Sequence, residues 1–146
     1  MPASGVIDLV DANVWLALAF SDHIHHAQAA AWFDAQVEDS CGFCRVTQMA
    51  LLRHLTNSKI MGRFVQSQQD AWRSYDKLAN DPRVIFLTEP PSVETSFRSL
   101  AQATEPSRAL WTDAFLAAFA LENKLRLVTF DQGFSGFPRL DLLTLV

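Results

Sequence analysis

Three aspartates stand alone in apolar surroundings. Asp11 is the only charged residue from Leu9 to Ser21, Asp113 the only one from Ala109 to Leu121, and Asp131 the only one from Leu127 to Pro138. A carboxylate buried in such a setting costs several kcal/mol unless something pairs with it. None of the three segments supplies a Lys or Arg. A divalent cation would compensate all three at once. Hard ions such as Mg²⁺ and Mn²⁺ prefer carboxylate oxygens and keep some of their water. An ion held this way can activate a water and neutralise charge on a phosphodiester. Each aspartate also has an ordinary use. Asp11 can cap a helix, Asp113 can face a helix dipole in a first turn, and Asp131 can serve the turn Asp131-Gln132-Gly133. Singly, the ordinary uses suffice. Jointly, the trio favours a metal site, and the residues alone leave both readings open.

The elements that must position these residues alternate between strand and helix. Val6–Val10 reads as a strand, followed by a helix over Asn13–Phe20 and a second over Ile24–Glu38. Cys41–Cys44 reads as a strand, and Thr47–Leu55 as a helix with Thr47 as its cap. Ser67–Ala79 is helical and ends at Asn80-Asp81-Pro82; Val84–Leu87 is a strand. Pro90-Pro91-Ser92 opens a helix to about Gln102, and Ala109–Glu122 is a long apolar helix. Leu125–Phe130 and Leu142–Leu145 are the last strands. Such alternation predicts an α/β domain with a mostly parallel sheet. In parallel sheets ligands bind beyond the carboxyl ends of the strands. Asp11 and Asp131 each directly follow a strand.

The chain of 146 residues is one domain's worth, read as a single unit over 1–146. No apolar run approaches the ~20 residues of a membrane span, and Met1–Gly5 carries no basic leader. Both features point to the cytosol. The formal charge of −4 speaks against a protein that coats nucleic acid through bulk positive charge. Its distribution is uneven: no acid occurs between Asp39 and Asp70, where Arg45, Arg53, Lys59 and Arg63 lie. That stretch is a solvated helix face or, beside a nuclease site, a strip that contacts phosphates. Arg53 and Lys59 are its first candidates for RNA contact. The two cysteines, Cys41 and Cys44, fall in one short strand and face opposite sides of it. That argues for buried apolar roles over a disulfide or a redox pair. His23, His25 and His26 suit surface or capping roles, and the four tryptophans suit core or interface.

Four motifs in order resemble the PIN domain family. Leu9-Val10-Asp11-Ala12-Asn13-Val14 is similar to its opening D-x-N motif. Trp111-Thr112-Asp113-Ala114-Phe115-Leu116-Ala117-Ala118 is similar to its D-A-x-(I/L)-A-A helix, and Leu127-Val128-Thr129-Phe130-Asp131-Gln132-Gly133-Phe134 to its (S/T)-x-D-x-x-F segment. The middle block, Cys44 to Asn57, resembles the VapC toxins of mycobacteria and other bacteria. The resemblance spans essentially the whole chain. It implies an α/β/α sandwich and a Mg²⁺- or Mn²⁺-dependent endoribonuclease with Asp11, Asp113 and Asp131 as metal ligands. It further implies a VapB-type antitoxin as partner, a homodimer, and tRNA or ribosomal RNA as substrate.

Asn13 and Thr129 fit roles that orient Asp11 and Asp131. One position departs from the family. Many members carry Glu in the middle helix where this chain has Gln48, which can orient a water but brings no charge. Replacing Gln48 by Glu should therefore preserve or raise metal affinity. The departure also keeps a second function in view: a PIN-like module that binds antitoxin or RNA without cutting. Other acidic-site classes fit less well. An aspartyl phosphatase needs a second Asp where Asn13 stands, and a phosphorylated receiver needs a Lys after a late strand, which Thr129-Phe130-Asp131 does not offer.

Overall fold

A computed structural model describes residues 6–146, so the leader reading of Met1–Gly5 lies outside the described residues. Five strands form one sheet: β1 (Asp8–Val10), β2 (Cys41–Phe43), β3 (Val84–Phe86), β4 (Arg126–Thr129) and β5 (Leu142–Thr144). Their order is β3-β2-β1-β4-β5, and every pairing is parallel. The helices are α1 (Ala12–Ala19), α2 (His26–Asp34), α3 (Arg45–Leu55), α4 (Ser58–Met61), α5 (Gln68–Ala79), α6 (Val93–Leu100) and α7 (Arg108–Glu122). The chain runs outward from β1 to β3, then returns to place β4 on the other side of β1. The sheet order therefore reverses between β1 and β4, the kind of switch point at which open α/β sheets bind ligands.

Alternation along the strands sorts the core into two layers. Val10, Cys41 and Val128 point to one face, where Trp15, Phe33, Leu51, Leu55 and Tyr75 from α1, α2, α3 and α5 cover them. Leu9 and Leu127 point to the other, beneath Val93, Leu116, Phe119 and Phe134. The result is the α/β/α sandwich. Trp15 anchors the first layer, stacking on Phe43 with centroids 4.0 Å apart and meeting Phe33 edge-on at 6.4 Å. Gly42 in β2 lets the Leu87 side chain pack directly on the strand, where a Cβ would force that side chain to move.

The elements differ from expectation mainly at their ends. The strands and α2, α5 and α6 are shorter by one to a few residues, and α1 is shifted by one; α2, for example, stops at Asp34, where the Gln36 side-chain amide donates back to the Trp32 carbonyl. Helix α3 starts two residues before Thr47. Its cap is Cys44, and the Thr47 hydroxyl accepts from the Cys44 amide at 3.0 Å from inside the first turn. Likewise α7 starts at Arg108 with Ser107 as cap, which moves Asp113 from the first turn to the second. The short helix α4 and the 3-10 turn Gly62–Phe64 are too brief to leave a periodic pattern.

The cysteines behave as small core residues. Both are free and buried, Cys41 in one layer and Cys44 in the other. Burial pushes the Cys41 thiol up to about 11 and raises Cys44 as well, which removes the thiolate that redox chemistry requires. Trp15 and Trp32 are core, but Trp72 and Trp111 are 49% and 61% exposed, so core placement fails for those two. Among the described residues, no helix is long and apolar enough to cross a membrane.

Candidate active site

The carboxyl ends of β1 and β4 are stitched together by side chains. Asp11 follows β1 and caps α1: its Oδ1 accepts from the Ala12 amide at 2.7 Å. Its Oδ2 accepts from the Thr129 hydroxyl at 2.8 Å. Thr129, the buried last residue of β4, also accepts from Asn13 Nδ2 at 3.3 Å and from the Asp131 amide at 3.0 Å. Its hydroxyl thus uses one donor and two acceptor sites, all that it has. Asn13 closes the circuit by accepting from the Phe130 amide at 3.2 Å. Asp131 then caps the following 3-10 turn, its Oδ1 accepting from the Gly133 amide at 2.8 Å.

Asp113 enters from α7. It is half-buried, and among the described residues its side chain has neither hydrogen bond nor ion pair. Burial, followed by the charges of Asp131 and Asp11, pushes its carboxyl up to about 6. Asp11 is raised too, chiefly by burial and with a contribution from Asp131, while the Thr129 and Ala12 hydrogen bonds pull it back. The three carboxylates therefore share one electrostatic environment at one edge of the sheet. Asp11 is half-buried and Asp131 exposed, so the cluster opens to solvent.

The ordinary uses of Asp11 and Asp131 as caps are real, and they coexist with membership of this cluster. Asp113 has no such use. No Lys or Arg pairs with any of the three among the described residues. A contrast lies at the opposite end of β1. Asp8, 2% exposed, is held by both Arg126 Nε and Nη2, at 2.9 and 3.1 Å.

Among the described residues, no group of three or more His, Cys, Asp or Glu side chains stands in a geometry that could hold a metal ion. The aspartates form an open, oxygen-only donor set rather than a cage. That fits Mg²⁺ or Mn²⁺, which use few carboxylates and fill the remaining positions with water or substrate oxygens. It does not fit a structural zinc site, which closes around its ion with nitrogen and sulfur.

The remaining residues lie apart from the trio. Gln48 is buried, and its Oε1 accepts from Arg45 Nη1 at 2.6 Å. It also lies against Tyr75, lowering a phenol that burial raises. Among the described residues, no hydrogen bond ties Gln48 to the aspartates. Arg53 and Lys59 are exposed, on the distal half of α3 and on α4, and among the described residues their side chains make no ion pair. Eight residues of helix separate Arg53 from Arg45, about 12 Å along the axis. His23 Nδ1 accepts from the His25 amide, His26 bonds the Ala17 carbonyl, and His25 stacks on Phe130 at 4.7 Å. These are structural uses, as expected. The sequence places Arg45 in the acid-free strip, but Arg53 and Lys59 come first there as candidates. Arg45 lies two residues beyond the end of β2, at the same edge as Asp11.

Comparison with known proteins assigns the family. The PIN domain family matches residues 9–140. The chain is 38% identical to Ribonuclease VapC41 of Mycobacterium tuberculosis over 139 residues, covering 92% of this chain and 95% of that protein. Among solved structures, VapBC2 from Rickettsia felis, bound to a DNA fragment from its promoter, superposes with a TM-score of 0.68 at 12% identity, over 97% of this chain and 100% of that one. The sarcin-ricin loop cleaving toxin VapC20 of M. tuberculosis does so at 0.62 and 17% identity, over 92% and 98%. With the family match spanning nearly the whole chain and a full-length relative at 38% identity, this chain belongs to the PIN domain family, among its VapC ribonucleases.

Proposed function

We propose that this protein is the toxin of a type II toxin–antitoxin system and cuts structured RNA, tRNA or ribosomal RNA, by metal-dependent hydrolysis. The observation that carries the reading is the set of three carboxylates, without cationic partners among the described residues, at the β1–β4 switch point, with burial and then mutual repulsion holding Asp113 up to about 6. Carboxylates that repel one another at a solvent-open edge are suited to share a cation.

Asp11, Asp113 and Asp131 would hold Mg²⁺ or Mn²⁺. Bound there, the ion supplies an activated water and offsets charge on the phosphodiester. The chain's own residues do the positioning. Thr129 fixes Asp11 through Oδ2 and fixes the backbone of Asp131. Asn13 locks Thr129 to Phe130 and so ties the first motif to the last. Arg53 and Lys59, exposed and without an ion pair among the described residues, are available for outlying phosphate contacts. A VapB-type antitoxin and a homodimer are the proposed partners, in keeping with relatives solved as VapBC assemblies.

The test is RNA cleavage by purified, antitoxin-free protein. Cleavage of tRNA or ribosomal RNA should require Mg²⁺ or Mn²⁺, stop with EDTA, and be abolished by Asp113→Asn. Cleavage that persists in EDTA would refute the metal mechanism. Wild-type protein that binds RNA but leaves it intact with Mn²⁺ would establish the non-cutting module instead.

A further inference from the structure

A second feature occupies the same edge of the sheet, on the β2–β3 side. A cavity of about 420 Å³ opens there, lined by Arg45, Phe86, Leu87, Glu89, Phe115 and Phe119 among others. Its size falls within the ~300–1,000 Å³ of pockets that take small organic groups. Phe86 is 41% exposed on the edge strand, and the Arg45 guanidinium lies over its ring, 4.8 Å from the centroid. Arg45 is itself exposed, and it is held from behind by Gln48. Among the described residues it makes no ion pair, not even with Glu89 at the cavity wall.

The identity of residue 48 decides the charge of this feature. An amide oxygen orients the guanidinium and leaves its full positive charge available. A carboxylate in the same place would orient it equally well and cancel that charge. The chain therefore presents a fixed, uncompensated guanidinium beside exposed aromatic surface. Such a pairing is suited to a nucleotide: the planar fork suits a phosphate, and the exposed Phe86 ring suits a base.

We propose that this cavity is a nucleotide subsite, in which Arg45 contacts an RNA phosphate, Phe86 stacks a base, and Gln48 is the positioning residue that orients Arg45 without neutralising it. The inference rests on the ribonuclease reading and adds where the RNA lies. The cavity and the aspartate cluster are about two strand spacings apart, ~10 Å. Phe115 and Phe119 of its wall belong to α7, the helix that carries Asp113. One RNA strand lying across the carboxyl edge would reach both. Residue 48 then acts on the substrate side of the site, and not as a metal ligand.

The experiment measures RNA affinity in an Asp113→Asn background, which separates binding from cutting. The probe is bulk tRNA competing with a labelled sarcin-ricin stem–loop, read by anisotropy over a range of salt. Arg45→Ala should weaken binding about tenfold and lower the salt slope by about one. Gln48→Glu should lower the slope similarly while leaving the melting temperature near that of the parent. Phe86→Ala should cost about tenfold with little change in slope. Arg45→Lys should keep the slope and lose part of the affinity, because the planar fork is gone. Parent-like affinity and slope in both Arg45→Ala and Phe86→Ala would overturn the subsite. So would loss of antitoxin binding with RNA binding intact, which would give the cavity to the protein partner. A background protein that binds neither RNA would instead overturn the ribonuclease reading itself.

Discussion

The Thr129 hydroxyl donates to Asp11 Oδ2 at 2.8 Å across the 118 positions that separate the two residues. That bond joins the end of β4 to the end of β1. It explains why a Thr sits two residues before Asp131: one buried hydroxyl serves Asp11, Asn13 and the Asp131 amide together.

Thr129→Val keeps the shape and removes all three bonds. A stability loss of about 1–3 kcal/mol is expected, since buried donors lose their acceptor. Asp11, deprived of a bond that lowers it, should rise further. Thr129→Ser should restore most of both effects. Chemical denaturation and NMR titration of Asp11 check this; a Val variant matching the parent in both would show the hydroxyl to be idle.

Asp113 sets a pH dependence whose sign can be worked out. Its ordinary value is 3.8 and its folded value about 6. A raised carboxyl adds stability below about pH 4, and that stability is lost as pH rises through 6. In metal-free protein Asp113→Asn should therefore be more stable than wild type at pH 8, by about 1–2 kcal/mol after solvent screening. The gap should close toward pH 4. Mn²⁺ should reverse the order at pH 8 by stabilising wild type alone. Melting curves at two pH values, with and without Mn²⁺, decide it. A variant less stable than wild type in metal-free buffer at pH 8 would contradict the repulsive cluster.

Arg126→Met should destabilise the fold by about 3 kcal/mol at neutral pH, because it strands the buried Asp8 carboxylate. Burial already raises Asp8, and Arg126 is what pulls it back. Losing that partner raises Asp8 further, so the deficit should shrink in acid as the carboxyl protonates. Adding Asp8→Asn should recover part of the loss. A deficit independent of pH would place the effect in packing rather than charge.

Much of this arrangement was legible in the sequence. The strand–helix alternation and the face of each strand follow from apolar spacing, and the D-x-N, D-A and T-x-D motifs mark three points on one sheet edge. Element ends were less legible, because caps such as Cys44 and Ser107 act through geometry that residue types leave open. A buried acid can find its cation 118 positions away, so the absence of a nearby Lys or Arg does not establish a metal. For Asp11, Asp113 and Asp131 no such distant partner arrives among the described residues. Gln48 was legible as a departure, but its contact with Arg45 was not. The (i, i+3) spacing permits that pair, and only the packed helix shows which way the amide turns.

The most direct measurement is anomalous diffraction from crystals of the full chain soaked in Mn²⁺. The account predicts a Mn²⁺ peak at the carboxyl ends of β1 and β4, touched by oxygens of Asp11, Asp113 and Asp131 and lost in Asp113→Asn crystals. A peak held by other residues, or none at that edge while Mn²⁺-dependent cleavage persists in solution, would contradict it.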